Sequence, residues 1–276
     1  MFIVDEDREG SLDRLKEYWD KIWGGEDETA TQISIDDAIA DPYLGIRNSR
    51  LMNEVLGYLG QQEDPVILEA GCGQGIWVIE LDGKGYQIHG LDYSLTGLQA
   101  ASAYKSGLSL VSGDILHLPF KDESFDAILS WGVVEHFEDF SLLDRSLKEK
   151  VRVLRPGGQL FITVPVENMF LHVKGVIRGL PGLRRFTRPS PFFENKFLVD
   201  GFLDFLRKAG FEVTTWRYHA TEFGLAMTLP SLFQSQDDAG RYRGLTIFGK
   251  LVHGVLVRRF AYLAAHQMFV IAGKPL

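Results

Sequence analysis

The run Val66-Ile67-Leu68-Glu69-Ala70-Gly71-Cys72-Gly73-Gln74-Gly75 constrains the fold of this 276-residue chain more than any other stretch. A short apolar run reads as a buried strand, and three glycines at alternate positions read as a tight turn with unusual dihedrals. Ile76 onward reads as a helix whose first N–H groups have no partner inside the helix. Strand, turn and helix start together make a cradle where a ligand lies against bare backbone. A second strand, Ile88-His89-Gly90-Leu91-Asp92, ends on a carboxylate 23 residues after Glu69. That is close to the separation at which an acid reaches a ribose diol, and one carboxylate accepts both hydroxyl hydrogens. Asp92 also suits a helix cap before Tyr93-Ser94, and the two roles are compatible. Tyr93 is placed to cover one face of an adenine ring.

Between Pro65 and Pro165, β-rich runs alternate with helix-like or turn-rich segments, the order of a parallel sheet covered by helices. The expected strands are Val66–Glu69, Gln87–Asp92, Leu108–Val111, Phe125–Ser130 and Gln159–Val164, with Phe211–Trp216 and Gln267–Ala272 further on. The expected class is therefore α/β: a Rossmann-like, seven-stranded, mostly parallel sheet with helices on both faces. Residues 1–60 read as a helical N-terminal cap. There Leu12–Trp23 puts Leu12, Leu15, Trp19 and Trp23 near one face, and Asn48–Leu59 carries another apolar stripe. Residues 61–276 form the main domain, with insertions at about 166–200 and 218–262.

With 45% hydrophobic and 24% charged residues the chain can bury a full core. Its net charge of −8 argues against a nucleic-acid partner, since phosphate neutralisation needs a basic face. The acidic start and the lack of an apolar run near the roughly 20 residues of a membrane span lead to an expectation of a cytoplasmic protein. The single cysteine, Cys72, cannot form an internal disulfide and reads as a small packing residue. No metal site is expected.

Three further runs follow in order: Ser112-Gly113-Asp114-Ile115-Leu116-His117-Leu118-Pro119-Phe120, Phe125-Asp126-Ala127-Ile128-Leu129-Ser130, and Leu154-Arg155-Pro156-Gly157-Gly158. With the two motifs above, the series resembles the ordered motifs of class I S-adenosylmethionine-dependent methyltransferases. It is particularly similar to the group acting on quinones, sterols and other small molecules, that of the methyltransferase domain 11 type. The resemblance covers roughly Pro65 to Pro165. It implies S-adenosyl-L-methionine as cofactor and S-adenosyl-L-homocysteine as product. It further implies that Glu69, Ala70, Gly71 and Gly73 line the methionine part, that Asp92 holds the ribose, and that Asp114 and Ile115 meet the adenine. Pro156-Gly157-Gly158 reads as a structural break before the fifth strand.

The segment Ser130-Trp131-Gly132-Val133-Val134-Glu135-His136-Phe137 leaves the carboxyl end of the fourth strand, where ligands sit in open α/β sheets. His136 is the best general base on offer, because an imidazole takes a proton near neutral pH; a helix-bracing role for Glu135 and His136 competes with it. Trp131 is expected to pack against the cofactor, or else in the core. Tyr18, Trp19 and Trp23 form an aromatic helix face which, in similar enzymes, folds over the cofactor. Arg47 and Arg50 are candidate partners for the cofactor carboxylate.

Two segments carry expectations about the acceptor. Met169–Arg188 sets Lys174, Arg178, Arg184, Arg185 and Arg188 among apolar residues with no acid, and Thr246–Phe260 carries Phe248, Leu251, Val252, Val255 and Leu256 on one helical stripe with Arg259 beside them. A small, hydrophobic or lipid-like acceptor in a pocket with a basic rim is expected, with a peripheral membrane contact as a further expectation. A packed lid with solvated cations is the plainer reading. Two other functions compete. A nicotinamide-dependent oxidoreductase would share the glycine turn and the ribose acid, but Ile76 stands where the dinucleotide fingerprint calls for glycine or alanine. A noncatalytic binding protein of the same fold is the other.

Overall fold

The computed structural model describes residues 7–24, 34–40, 46–47, 49–137, 139–169, 195–221, 233–236 and 242–276. The chain opens with helices α1 (Asp7–Gly24), α2 (Ile35–Ala40) and α3 (Arg50–Leu59). Ser49 starts α3 by accepting the Met52 N–H on its hydroxyl at 3.0 Å, which satisfies one of the free donors of a helix start. Met52, Val55 and Leu59 then share one buried face.

The alternating part follows: β1 (Val66–Ala70), α4 (Ile76–Gly83), β2 (Gln87–Asp92), α5 (Leu95–Tyr104), β3 (Ser109–Ser112), β4 (Phe125–Trp131), α6 (Phe140–Val153) and β5 (Leu154–Pro165). Beyond it lie α7 (Val199–Ala209), β6 (Glu212–His219), β7 (Gln234–Gln236), β8 (Tyr242–Leu245), α8 (Ile247–Arg259), α9 (Ala261–Ala264) and β9 (Gln267–Gly273). Seven strands form one sheet in the order β3-β2-β1-β4-β5-β9-β6. β9 is antiparallel to both neighbours and the other pairs are parallel, so the mostly parallel Rossmann-like sheet is present.

Successive side chains of the strands point to opposite faces, and both faces are covered. Leu68, Ile128 and Leu160 pack in a core with Leu147 of α6 and Phe202 and Leu206 of α7. Their neighbours Ile67, Leu129 and Phe161 pack on the other side with Met52 and Val55 of α3 and Val78 of α4.

Three local readings are revised. The expected break at Pro156-Gly157-Gly158 lies inside β5, as a register shift between the pairs Phe125 with Leu154 and Ala127 with Gln159, and Gly157 takes a φ of 78° there. β6 runs past Trp216 to His219, because β9 pairs with it as far as Gln267. The stripe of α8 is only partly covered: Leu251 and Val255 are exposed, Val252 is half-buried, Phe248 stacks on Phe233 with one side exposed, and Gly249 packs closely against Leu245 and Phe233. The expected insertion Met169–Arg188 falls outside the described residues after Met169, as do the side chains of Leu256 and Arg259.

Candidate functional site

β1 is followed by β2 and β3 on one side of the sheet, and β4 and β5 lie on the other. At such a reversal the connections leave to opposite faces and open a crevice at the carboxyl ends of the strands. Ala70, Asp92 and Trp131 mark those ends.

The turn after β1 needs its glycines. Gly71 and Gly73 have φ of 88° and 50°, in the left-handed region. Space forbids a side chain as well: a Cβ on Gly71 would come within 2.6 Å of Val133, and one on Gly73 within 2.7 Å of the Trp23 ring. The Gly71 and Cys72 N–H groups both donate to the Leu91 carbonyl, at 2.8 and 3.0 Å, which locks the turn to β2.

Asp92 is the centre of this arrangement. It is 7% exposed, and its Oδ2 accepts from the Gly73 N–H at 2.7 Å while Oδ1 accepts from the Ser94 N–H at 2.8 Å. Ser94 caps α5 by accepting the Gly97 N–H, and its hydroxyl donates to Asp20 of α1 at 2.5 Å. Burial raises the Asp92 carboxyl above its ordinary range, against the pull of these N–H donors. Tyr93 donates its phenol proton to the Leu15 carbonyl at 3.2 Å, so α1 is fastened to the end of β2. Burial is also the main cause that pushes the Tyr93 phenol well up.

Glu69 is 4% exposed, with Oε2 buried and unpartnered. Burial drives its carboxyl well above the usual range; an N–H donated by Val78 opposes this and the nearby Asp92 adds to it. An unpaired carboxylate oxygen in such a place is costly unless a donor or cation meets it. Ala70 is fully buried, and its carbonyl accepts from Ser130 at 3.4 Å.

Asp114 is exposed beyond β3, and its Oδ1 accepts the Leu116 N–H at 2.8 Å, while Ile115 is buried in the core. α6 braces this loop in a way the sequence did not signal. Glu149 accepts the Leu118 N–H at 2.8 Å, and Arg152 donates to the carbonyls of Leu118 and Phe120 at 2.9 and 2.8 Å.

At the end of β4, Trp131 packs at a tilt against Trp77 with ring centroids 4.7 Å apart, and its buried Nε1 has no partner. His136 lies in the 3-10 turn Val134–His136, half-buried, with the Trp19 ring edge-on at 5.0 Å. Tyr18 and Trp23 flank Trp19 at 5.4 and 5.6 Å. The structure thus brings α1 against the glycine turn, Tyr93 and His136 together. Arg47 is engaged elsewhere, bidentate on Glu80 of α4, and Arg50 pairs with Glu54 at 3.3 Å. Trp77, Val133 and Asp20 were missed, since nothing in a linear run marks which aromatic or acid will meet a distant turn.

These residues fit a nucleoside that carries a positive charge. After two N–H bonds Asp92 still has lone pairs for a diol, and the unpartnered Glu69 oxygen suits a cation. The left-handed glycines leave the backbone bare beside both. Among the described residues no group of three or more metal-ligating side chains occurs.

The family model described as "Methyltransferase domain" matches residues 68–162, from β1 through β5. A protein of Encephalitozoon cuniculi named as a methyltransferase is 31% identical over 179 residues, covering 58% of this chain and 74% of that protein. The human "Probable tRNA methyltransferase 9B" is 36% identical over 124 residues, 45% of this chain. The chain spans only 26% of that relative's length. The demethylmenaquinone methyltransferase of Corynebacterium kroppenstedtii is 31% identical over 131 residues, 45% of this chain and 55% of that enzyme. With its sheet order, its glycine turn and the acid at the end of β2, the chain belongs to the class I methyltransferases, whose cofactor is S-adenosylmethionine.

Proposed function

We propose that the chain transfers a methyl group from S-adenosylmethionine to an apolar, lipid-like small molecule. The observation behind the transfer is the node in which Asp92 gathers the Gly73 and Ser94 N–H groups beside the unpartnered Glu69 oxygen. Glu69, Ala70, Gly71 and Gly73 line the methionine part, and Asp92 accepts from the ribose hydroxyls. Asp114 accepts from the adenine amino group, and the Ile115 N–H donates to a ring nitrogen. Tyr93 and Trp131 offer ring faces, and Tyr18 closes the site from α1.

When bound, the cofactor supplies a sulfonium methyl that is already electrophilic: the acceptor's lone pair bonds to carbon and the C–S pair returns to sulfur. What remains for the protein is alignment and water exclusion, which supply much of the rate in such a displacement. Trp19, edge-on to His136 and stacked on Trp23, sets aromatic surface beside the turn that follows β4, which suits an apolar acceptor. For an acceptor that reacts through a hydroxyl, a ring nitrogen of His136 takes the proton.

The name of the human relative favours a second reading, tRNA as acceptor. The net charge of −8 opposes it, and the quinone-directed relative supports the first. Methyl-labelled cofactor incubated with the protein and, separately, a lipid extract, polar metabolites and total tRNA decides between them. Label in the lipid fraction is the expected result, and label in tRNA alone overturns it. Binding without transfer to any fraction identifies a noncatalytic member of the fold.

A further inference from the structure

Helix α8 presents an apolar face that the rest of the described chain does not cover. On its inner side the Thr246 N–H donates to the Phe233 carbonyl at 2.9 Å, Thr246 accepts the Gly249 N–H at 3.0 Å, and Gly249 sits against Leu245. On its outer side Ile247, Leu251 and Val255 stand 82%, 67% and 63% exposed. Their spacing of four puts them on successive turns of one row. Phe248 lies beside the row, half out of its stack on Phe233, and exposed Phe260 and Tyr262 continue past the helix end. Solitary exposed apolar residues are ordinary, but a contiguous set of this kind marks a contact surface.

Charge identifies the partner. Between Ala239 and Tyr262 there is no acidic residue, while Arg241, Arg243, Lys250, Arg258 and Arg259 lie in that span of a protein whose net charge is −8. Arg258 and Arg259 occupy the last turn of α8 itself. A second copy docked face to face would set these two acid-free spans against each other, which like charges oppose. A nucleic acid would meet the cations but would leave the aliphatic row without a partner. The headgroup region of an anionic bilayer takes both, with aliphatic side chains at the acyl boundary, cations at the phosphates and aromatic rings between them. At 13 residues α8 is about 20 Å long, too short to span the roughly 30 Å hydrocarbon layer. It lies on the surface, and no described helix is long and apolar enough to cross a membrane.

We infer that α8, with Phe260 and Tyr262, is a monotopic docking face for an anionic lipid surface. This docking is independent of which acceptor the site methylates. The test is co-sedimentation with vesicles of phosphatidylcholine alone or with about 30% phosphatidylglycerol, using the full chain and the double variant Leu251→Glu, Val255→Glu. Both substitutions lie on the exposed row, so the fold is retained, and equal S-adenosylhomocysteine affinity of the two proteins verifies this separately from docking. The expected result is binding to the anionic vesicles, weak binding to phosphatidylcholine, release at high salt, and a loss of about tenfold or more in the variant. Equal binding of wild type and variant overturns the inference, as does no binding to either vesicle. A wild-type dimer that the variant abolishes, without vesicle binding, assigns the face to a second copy instead.

Discussion

Glu69 combines a structural cost with a functional use. Its carboxyl is raised well above the usual range, chiefly by burial. The sign follows from that direction: an acid whose folded pKa exceeds its unfolded value weakens folding as pH rises through the carboxylate range and beyond it. Glu69→Gln is therefore expected to raise the Tm of the cofactor-free protein at pH 7. The same variant should weaken S-adenosylmethionine binding and flatten its fall on acidification, a fall that starts above the ordinary carboxylate range in the wild type. Thermal melts and calorimetric titrations across pH measure both; a lowered Tm with unchanged affinity would assign Glu69 to packing alone. Asp92 differs, because its oxygens already serve the backbone. Asp92→Ala is expected to weaken S-adenosylhomocysteine binding by about 1.5–3 kcal/mol. His136→Ala should lower turnover by roughly 10²–10⁴ with cofactor affinity nearly intact if His136 takes the proton, and a loss below about threefold, set against that range, would leave it only its contact with Trp19.

At the scale of elements, α6 holds the loop after β3 by salt-bridged side chains rather than by backbone pairing. Arg152 pairs with Glu149 and Asp122 while donating to two loop carbonyls. Arg152→Met keeps the stem and removes the fork, so it should loosen the stretch from Asp114 to Phe120. Amide exchange there is expected to quicken, with a fall in affinity for adenosine-bearing ligands; unchanged exchange would show that the core contacts of Ile115, Leu116 and Leu118 suffice. The strands and the glycine turn were legible in the sequence because each follows from local rules: apolar runs for strands buried on both faces, and glycine where φ turns positive. The brace from Arg152 was not legible, since its partners lie about 30 residues away and their meeting depends on how α6 crosses the sheet. The outward turn of α8 was hidden for a related reason. Periodicity reports a stripe but not which side of the helix finds a neighbour, and Gly249 with Phe248 made the contact while Leu251 and Val255 stayed outside.

On the scale of the whole molecule, one buried cation shapes stability. Lys150 is fully buried, its Nζ donating to Ser146 at 2.6 Å, and burial brings its pKa down to about 7 against the partial support of Asp114 and Glu149. A lysine whose folded pKa lies below its unfolded value penalises folding at acid and neutral pH, and the penalty fades as pH rises from about 7 towards the ordinary lysine range. Lys150→Met should accordingly raise Tm at pH 6 and lose that advantage by about pH 10; a variant less stable at both would show the ammonium to be part of the scaffold. A methyltransferase of this fold must hold S-adenosylmethionine in the crevice at the ends of β1, β2 and β4. Calorimetric titration of the purified chain with S-adenosylhomocysteine, and separately with a nicotinamide dinucleotide, tests that most directly. Saturable binding of the first near one equivalent, with no heat from the second, is the predicted result. Binding of the dinucleotide, or no binding of S-adenosylhomocysteine by folded protein, would contradict it.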